Sequence, residues 1–273
     1  MLQNKKIGFV GAGTMAEAIA RGLLEAGLDP AHISASDPDS CRRDLFSKEL
    51  GVGVSADNGS VVRTSDIVIL AVKPHTISQV VVEIGGILKA EQLLISIAAG
   101  VTTGSIQGKL GADVPVIRAM PNTPCLIGEG ASAIAPGRHA SPAHMKMASE
   151  IFGAVGKVVE VTEDKLDAVT GLSGSGPAYV YTFIEALTSG GVRMGLPKAT
   201  ALTLAAQTVT GAARMVLETN ADPAELRDRV MTPGGTTAAG MASLERCGFQ
   251  SAVIEAVTAA TERAGELGKA DKD

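Results

Sequence analysis

The chain has 273 residues, 45% hydrophobic and 19% charged, with a formal net charge of −5. That balance excludes a disordered chain, and with no basic run longer than a pair such as Arg42-Arg43 it argues against nucleic acid as the main partner. Three cysteines without a CxxC spacing exclude a disulfide framework or zinc site and fit a reducing cytoplasm.

Aromatic residues are only 3% and Trp is absent, so the core is expected to be aliphatic. The 32 glycines point to tight turns and close backbone packing. The sequence enters a strand pattern at once, so no cleavable signal is expected. No window of about 18 uninterrupted apolar residues predicts a membrane span.

In chain order, Lys5–Gly11 reads as a buried strand and Thr14–Gly27 as an apolar-striped helix ending at glycine. His32–Asp37 is a second strand, Ser40–Leu50 a helix, and Val52–Val54 a short strand. Asp66–Pro74 is a strand stopped by Lys-Pro; helix Pro74–Ile87 and strand Leu93–Gly100 follow. Then come helix Thr103–Leu110, strands Val114–Asn122 and Ala131–Pro136, helix Ser141–Phe152 and strand Gly156–Thr162. Strands alternating with helices predict a parallel sheet covered on both faces.

From Glu163 the strand signal stops. Helical patterns cover 174–194, 197–219, 224–230, 236–247 and 249–267, and the tail from Gly268 reads as frayed. Two domains are therefore expected: an α/β, Rossmann-type dinucleotide-binding domain over 1–162 and an all-α domain over 163–273. The long, lightly charged helix faces predict a homodimer through the C-terminal helices.

Residues 11–16, Gly-Ala-Gly-Thr-Met-Ala, follow the first strand and open the first helix. Gly11 permits the tight turn, Gly13 lets backbone approach a pyrophosphate, and Ala16 packs helix to strand. Ala12, Thr14 and Met15 complete the turn. Asp37 ends the second strand about 21 residues beyond Ala16, where a carboxylate bonds the ribose hydroxyls of NAD. Ser36, Arg42 and Arg43 lie close by and suit the 2′-phosphate of NADP instead. Asp37 equally suits a helix N-terminal signal. The choice between NADPH and NADH stays open. Further strand ends at the same sheet edge are Ala71-Val72-Lys73-Pro74, Ala98-Ala99-Gly100 and Met120-Pro121-Asn122-Thr123-Pro124.

No strong acid for carbonyl reduction stands out. His75 is the one histidine of four at a sheet edge, and a helix-start role explains it as well. No metal-ligand cluster is visible. A cyclic imine, which protonates to an iminium, removes the need for such an acid. The protein's task is then placement and charge complementarity. The stretch Val230–Met241 supplies an anion hole for a substrate carboxylate. Thr232 offers a hydroxyl, Gly234 and Gly235 bare amides, and Thr236 and Thr237 open a helix whose free N–H groups favour an anion. The Thr237 hydroxyl can also bond a ring nitrogen.

The stretches "GFVGAGTMAEAIARGL", "DIVILAVKPH", "VIRAMPNTP", "LSGSGPAY" and "MTPGGTT" span nearly the whole chain. On them the chain resembles the pyrroline-5-carboxylate reductases. The resemblance implies reduction of 1-pyrroline-5-carboxylate to L-proline with NADPH or NADH, the last step of proline biosynthesis. It implies interlocked dimers that often assemble into decamers, with the carboxylate loop serving a nicotinamide across the dimer interface. It places the pyrophosphate on Gly11–Ala16, the adenosine 2′-phosphate at Ser36, and nucleotide contacts at Asn58, Val72, Lys73 and Ala99. Glu163 is implied near the substrate. Thr232, Gly234, Gly235, Thr236 and Thr237 are implied at its carboxylate, with Thr237 on the imine nitrogen. Asp37 is acidic where relatives often have a neutral residue. Ser173–Pro177 reads as a structural helix start.

Two other readings remain. A β-hydroxyacid dehydrogenase shares the domain layout and needs a catalytic lysine, for which Lys165 is the nearest candidate. A dinucleotide-sensing protein needs the glycine turn but not the threonine-rich loop.

Overall fold

The computed structural model describes residues 2–270. Eight strands form one sheet: β1 (Ile7–Val10), β2 (Ile33–Ser36), β3 (Gly53–Ser55), β4 (Ile67–Leu70), β5 (Leu93–Ser96), β6 (Val116–Met120), β7 (Gly130–Pro136) and β8 (Gly156–Glu160). Their order is β3-β2-β1-β4-β5-β6-β7-β8. The order reverses between β1 and β4, which opens a crevice at the carboxyl ends of the strands.

All pairs are parallel except β6 with β7, which is antiparallel. The expectation of an all-parallel sheet fails there for a physical reason. A single turn, Thr123–Ile127, closed by Gly128 at φ 73°, joins the two strands. It is too short for a crossover, so β7 returns alongside β6.

Helices α1 (Thr14–Glu25), α2 (Ser40–Leu50), α3 (Asn58–Thr64), α4 (Pro74–Gly85), α5 (Thr103–Gln107) and α6 (Pro142–Gly153) cover the sheet. One apolar layer joins Ile19 and Leu23 of α1, Phe46 of α2 and Phe152 of α6 to Phe9 and Ile69 of the strands. The other joins Val62, Ile77, Val81 and Ile106 to Val10, Val68 and Leu94. Every residue of β1, β4 and β5 is buried, as strands covered on both faces require. The sequence pattern does not predict α3. There the Asp57 carboxylate accepts from Gly59 N and Ser60 N and starts the helix.

The described chain divides into two compact units. One runs to Ser175 and resumes at Thr258; the other is Gly176–Val257. The sequence places the change at Glu163, where the strands end. Residues 163–175 nevertheless pack on the sheet. Leu166 is buried with Ala133 and Ala135. Asp167 pairs with Arg118 at 3.2 Å, and Asn122 Nδ2 donates to Ser173 O at 3.0 Å. Thr170–Gly174 form a π-helical turn.

The second unit holds α8 (Gly176–Arg193), α9 (Lys198–Thr219), α10 (Pro223–Val230) and α11 (Thr236–Arg246), after the single-turn α7 (Leu166–Val169) of the first. Helix α12 (Phe249–Ala270) begins in the second unit and ends in the first. It continues through Gly268, where a frayed tail is predicted; residues 271–273 lie outside the described residues. Small residues bring α8 and α9 together: a Cβ added to Gly191 would lie 3.1 Å from that of Ala201. Large apolar side chains of this unit remain exposed, among them Met194 at 78% and Leu217 at 65%. Among the described residues no helix is long and apolar enough to cross a membrane.

Candidate active site

β1 delivers the chain into the glycine turn. Gly11 has φ +96°, and a Cβ there would sit 2.8 Å from the Ala71 carbonyl oxygen. Both facts demand glycine. Gly13 is the N-cap of α1, and no atom lies within 4 Å of where its Cβ would be. Its missing side chain leaves the amides of Thr14, Met15 and Ala16 uncovered, since the first intrahelical donor is Glu17 N to Gly13 O at 3.0 Å. Ala12 and Ala16 are fully buried beneath the turn.

In front of these amides lies a cavity of about 380 Å³. Gly13, Thr14, Met15, Ala71, Val72, Lys73, Pro74, Ala98 and Ala99 line it, all expected from the sequence. Three separate strand ends thus meet at one crevice. Met120, Pro121 and Thr123 also line it, as part of the predicted 120–124 edge. Ile97 and Leu126 line it without a sequence signal; Leu126 sits in the turn between β6 and β7, which has no periodicity to read. No histidine lines the cavity, and His75 lies in the first turn of α4.

Five expected contacts are engaged within the chain itself. Ser36 has no exposed surface; its hydroxyl donates to Asn58 Oδ1 at 2.8 Å, so a phosphate at Ser36 does not fit. Asn58 Nδ2 in turn donates to both carboxylate oxygens of Glu83 at 3.1 Å. Asn122 is 8% exposed, and it accepts from Ala131 N as well as donating to Ser173 O. It ties the β6 end to the segment beyond β8. Gly100 is buried against Gly268: a Cβ on Gly268 would lie 2.5 Å from Gly100 O. Glu163 has one oxygen on Thr103 N at 2.6 Å and the other on Thr103 Oγ1 at 2.8 Å. It anchors the first turn of α5.

Asp37 does face the turn. Its Oδ2 accepts from Ala12 N at 2.8 Å, and its Oδ1 accepts from Asp39 N at 2.9 Å. Arg42 donates from Nε to Ala12 O at 2.6 Å and from Nη2 to Glu17 at 2.8 Å. Burial pushes the Glu17 carboxyl up, but hydrogen bonds from Arg42 and Arg21 outweigh it and hold the group below its ordinary value.

In the helical unit, Gly235 N donates to Thr232 O at 3.0 Å and closes a turn over Pro233 and Gly234. Gly234 has φ +69°, which suits the third position of a type II turn with proline before it. A Cβ on Gly235 would meet Thr232 Oγ1 at 2.3 Å, so this position also needs glycine. Gly235 is the N-cap of α11 and offers no side-chain cap. The contrast with other helices is informative: Asp39, Asp57, Thr102, Ser141 and Asp222 each cap theirs with a side-chain oxygen. α1 and α11 each start at a glycine N-cap in extended backbone, whereas Gly248, which precedes α12, has φ +71°. The hydroxyls of Thr232, Thr236 and Thr237 have no hydrogen-bond partner among the described residues. An uncapped helix start ringed by free hydroxyls is suited to an anion. Lys165, the lysine of the dehydrogenase reading, pairs with Asp164 at 3.0 Å and lines no cavity described here.

A family model described as pyrroline-5-carboxylate reductase dimerisation matches residues 163–267. One described as NADP oxidoreductase, coenzyme F420-dependent, matches residues 6–100. The chain is 50% identical to the pyrroline-5-carboxylate reductase of Methanosarcina acetivorans, over 98% of this chain and 100% of that one. This chain belongs to the pyrroline-5-carboxylate reductase family. It is an NAD(P)H-dependent oxidoreductase with a homo-oligomerising helical domain. A Synechocystis pyrroline-5-carboxylate reductase is 49% identical over 97% of this chain and 98% of its own. Among solved structures, the reductase of Coxiella burnetii superposes with a TM-score of 0.91 at 41% identity, covering 96% of this chain and 98% of that one. The Plasmodium falciparum pyrroline carboxylate reductase, solved with NADP bound, gives 0.88 at 34% identity, covering 97% and 99%.

Proposed function

We propose that this chain reduces the C=N bond of 1-pyrroline-5-carboxylate to give L-proline. The observation that carries the reading is the pair of glycine-capped helices, α1 and α11, each with its first amides uncovered. The amides of α1 suit a dinucleotide pyrophosphate, and Gly11, Gly13, Thr14 and Met15 shape its turn. Val72, Lys73, Ala98 and Ala99 suit the rest of that cofactor along the crevice. The bound dinucleotide, NADPH or NADH, supplies the hydride.

The amides of Gly234 and Thr236 and the hydroxyls of Thr232 and Thr236 hold the substrate carboxylate, presented by the turn that the Gly235 amide closes. Thr237 bonds the ring nitrogen and fixes the orientation of the imine. The imine takes its proton from water before the transfer, so carbon gains a hydride and nitrogen keeps the proton. No side-chain acid is required.

Purified protein given pyrroline-5-carboxylate and either reduced cofactor consumes that cofactor and forms proline, read by loss of reduced-nicotinamide absorbance. No oxidation with either cofactor overturns the assignment.

The assembly we propose is a homodimer through the exposed faces of α8 and α9, with five dimers forming a decamer. Exposed Met194, Leu204 and Leu217 need cover of this kind. Light scattering in solution returns the mass of a dimer or of a decamer; a monomer overturns the interface. The three free cysteines fit the reducing cytoplasm in which we place the protein.

A further inference from the structure

We infer that the adenosine end of the cofactor site is built for NADH, and that Asp37 is the residue that discriminates against NADPH. The inference rests on the dinucleotide reading of the glycine turn.

Strand β2 ends at Ser36, whose side chain is fully buried, and the alternation of a strand then presents Asp37 on the side of the turn. The Asp37 carboxylate is held in place, not loose. Its two oxygens accept from Ala12 N at 2.8 Å and Asp39 N at 2.9 Å. A carboxylate has about four acceptor sites, so two remain for ribose hydroxyls. This is the position from which an acidic residue bonds that diol in a doubly wound sheet. A 2′-phosphate there brings close to two further negative charges against a fixed carboxylate.

Most of the polar groups nearby are already engaged. Arg42 is bonded to Ala12 O at 2.6 Å and neutralised by Glu17 at 2.8 Å. Arg43 uses Nη1 on two carbonyl oxygens, Asp37 O at 2.7 Å and Pro38 O at 2.8 Å, which ties its guanidinium to the backbone of the Asp37 turn and leaves Nε and Nη2 as its remaining donors. The Ser36 hydroxyl is spent on Asn58. The Asn58 amide is spent on Glu83, which adds a second carboxylate to this end.

The test is equilibrium binding of NADH and of NADPH to the full-length protein without substrate, followed by cofactor fluorescence. The wild type is expected to bind NADH at least about tenfold more tightly than NADPH. Asp37→Ser is expected to tighten NADPH by about tenfold and erase the preference. Asp37→Asn keeps an acceptor oxygen for Ala12 N–H while removing the charge. It is expected to shift the ratio the same way, and its retained NADH binding reports an intact turn. NADPH binding as tightly as NADH to the wild type overturns the inference, as does an unchanged ratio in both variants. Either result leaves the dinucleotide site standing. Failure to bind either cofactor overturns the site reading together with this one.

Discussion

Thr237→Ala lowers turnover of pyrroline-5-carboxylate by about 100-fold, the usual loss when one aimed hydrogen-bonding group is removed from the reacting centre. Binding of reduced cofactor, measured without substrate, stays within about twofold, because Thr237 is not among the residues that line the crevice at the glycine turn. The argument starts from the loop. Gly235 caps α11 without a side chain, so this helix start has amides but no oxygen of its own to satisfy them. Thr237 adds a hydroxyl with no partner among the described residues. Truncation removes that hydroxyl and leaves the turn between Thr232 and Gly235 intact. Thr237→Ser keeps the hydroxyl and restores most of the rate. A Thr237→Ala enzyme with wild-type turnover takes this residue out of the chemistry.

Asp167→Ala destabilises the protein by about 3 kcal/mol, the low end for breaking a pair with one buried charge. Arg118 lies on β6 with its side chain 4% exposed, and Asp167 at 3.2 Å is its one carboxylate among the described residues. Asp167 is 37% exposed, which tempers the cost. Without it a buried guanidinium has no counter-charge. Chemical denaturation reads the loss as a lower midpoint with an unchanged slope. The double variant Arg118→Met, Asp167→Leu recovers most of the stability, because no unpaired charge remains. If Asp167→Ala and the double variant unfold at the same midpoint, uncompensated charge is not the cause.

Most of the α/β half is legible in the chain itself. Continuous apolar runs such as Ile67–Leu70 announce covered strands, and Ser40–Leu50 is a helix in pattern and in structure alike. The glycine turn is legible because its residue types are dictated locally, by a positive φ at Gly11 and an open face at Gly13. The direction of β7 is not, because it depends on how few residues join it to β6. Side-chain commitments are the least legible. Glu163 and Thr103 stand sixty residues apart in sequence, yet their hydrogen bonds occupy a carboxylate that the family resemblance implies near the substrate. Ser36 and Asp37 differ only in which side of β2 they fall. One residue of register decides which of them meets the cofactor, and that follows from pairing with β1 and β3.

The return of α12 to the first unit has a consequence for how the protein is made. The helical unit is an insertion: the chain leaves the sheet-bearing unit at Ser175 and rejoins it at Thr258. Ribosomes release sequence in order, so the whole of the inserted unit emerges before Gly268 can reach Gly100. The sheet-bearing unit is therefore completed last, although its strands are synthesised first. Its fold closes only once the oligomerising helices are already outside the ribosome.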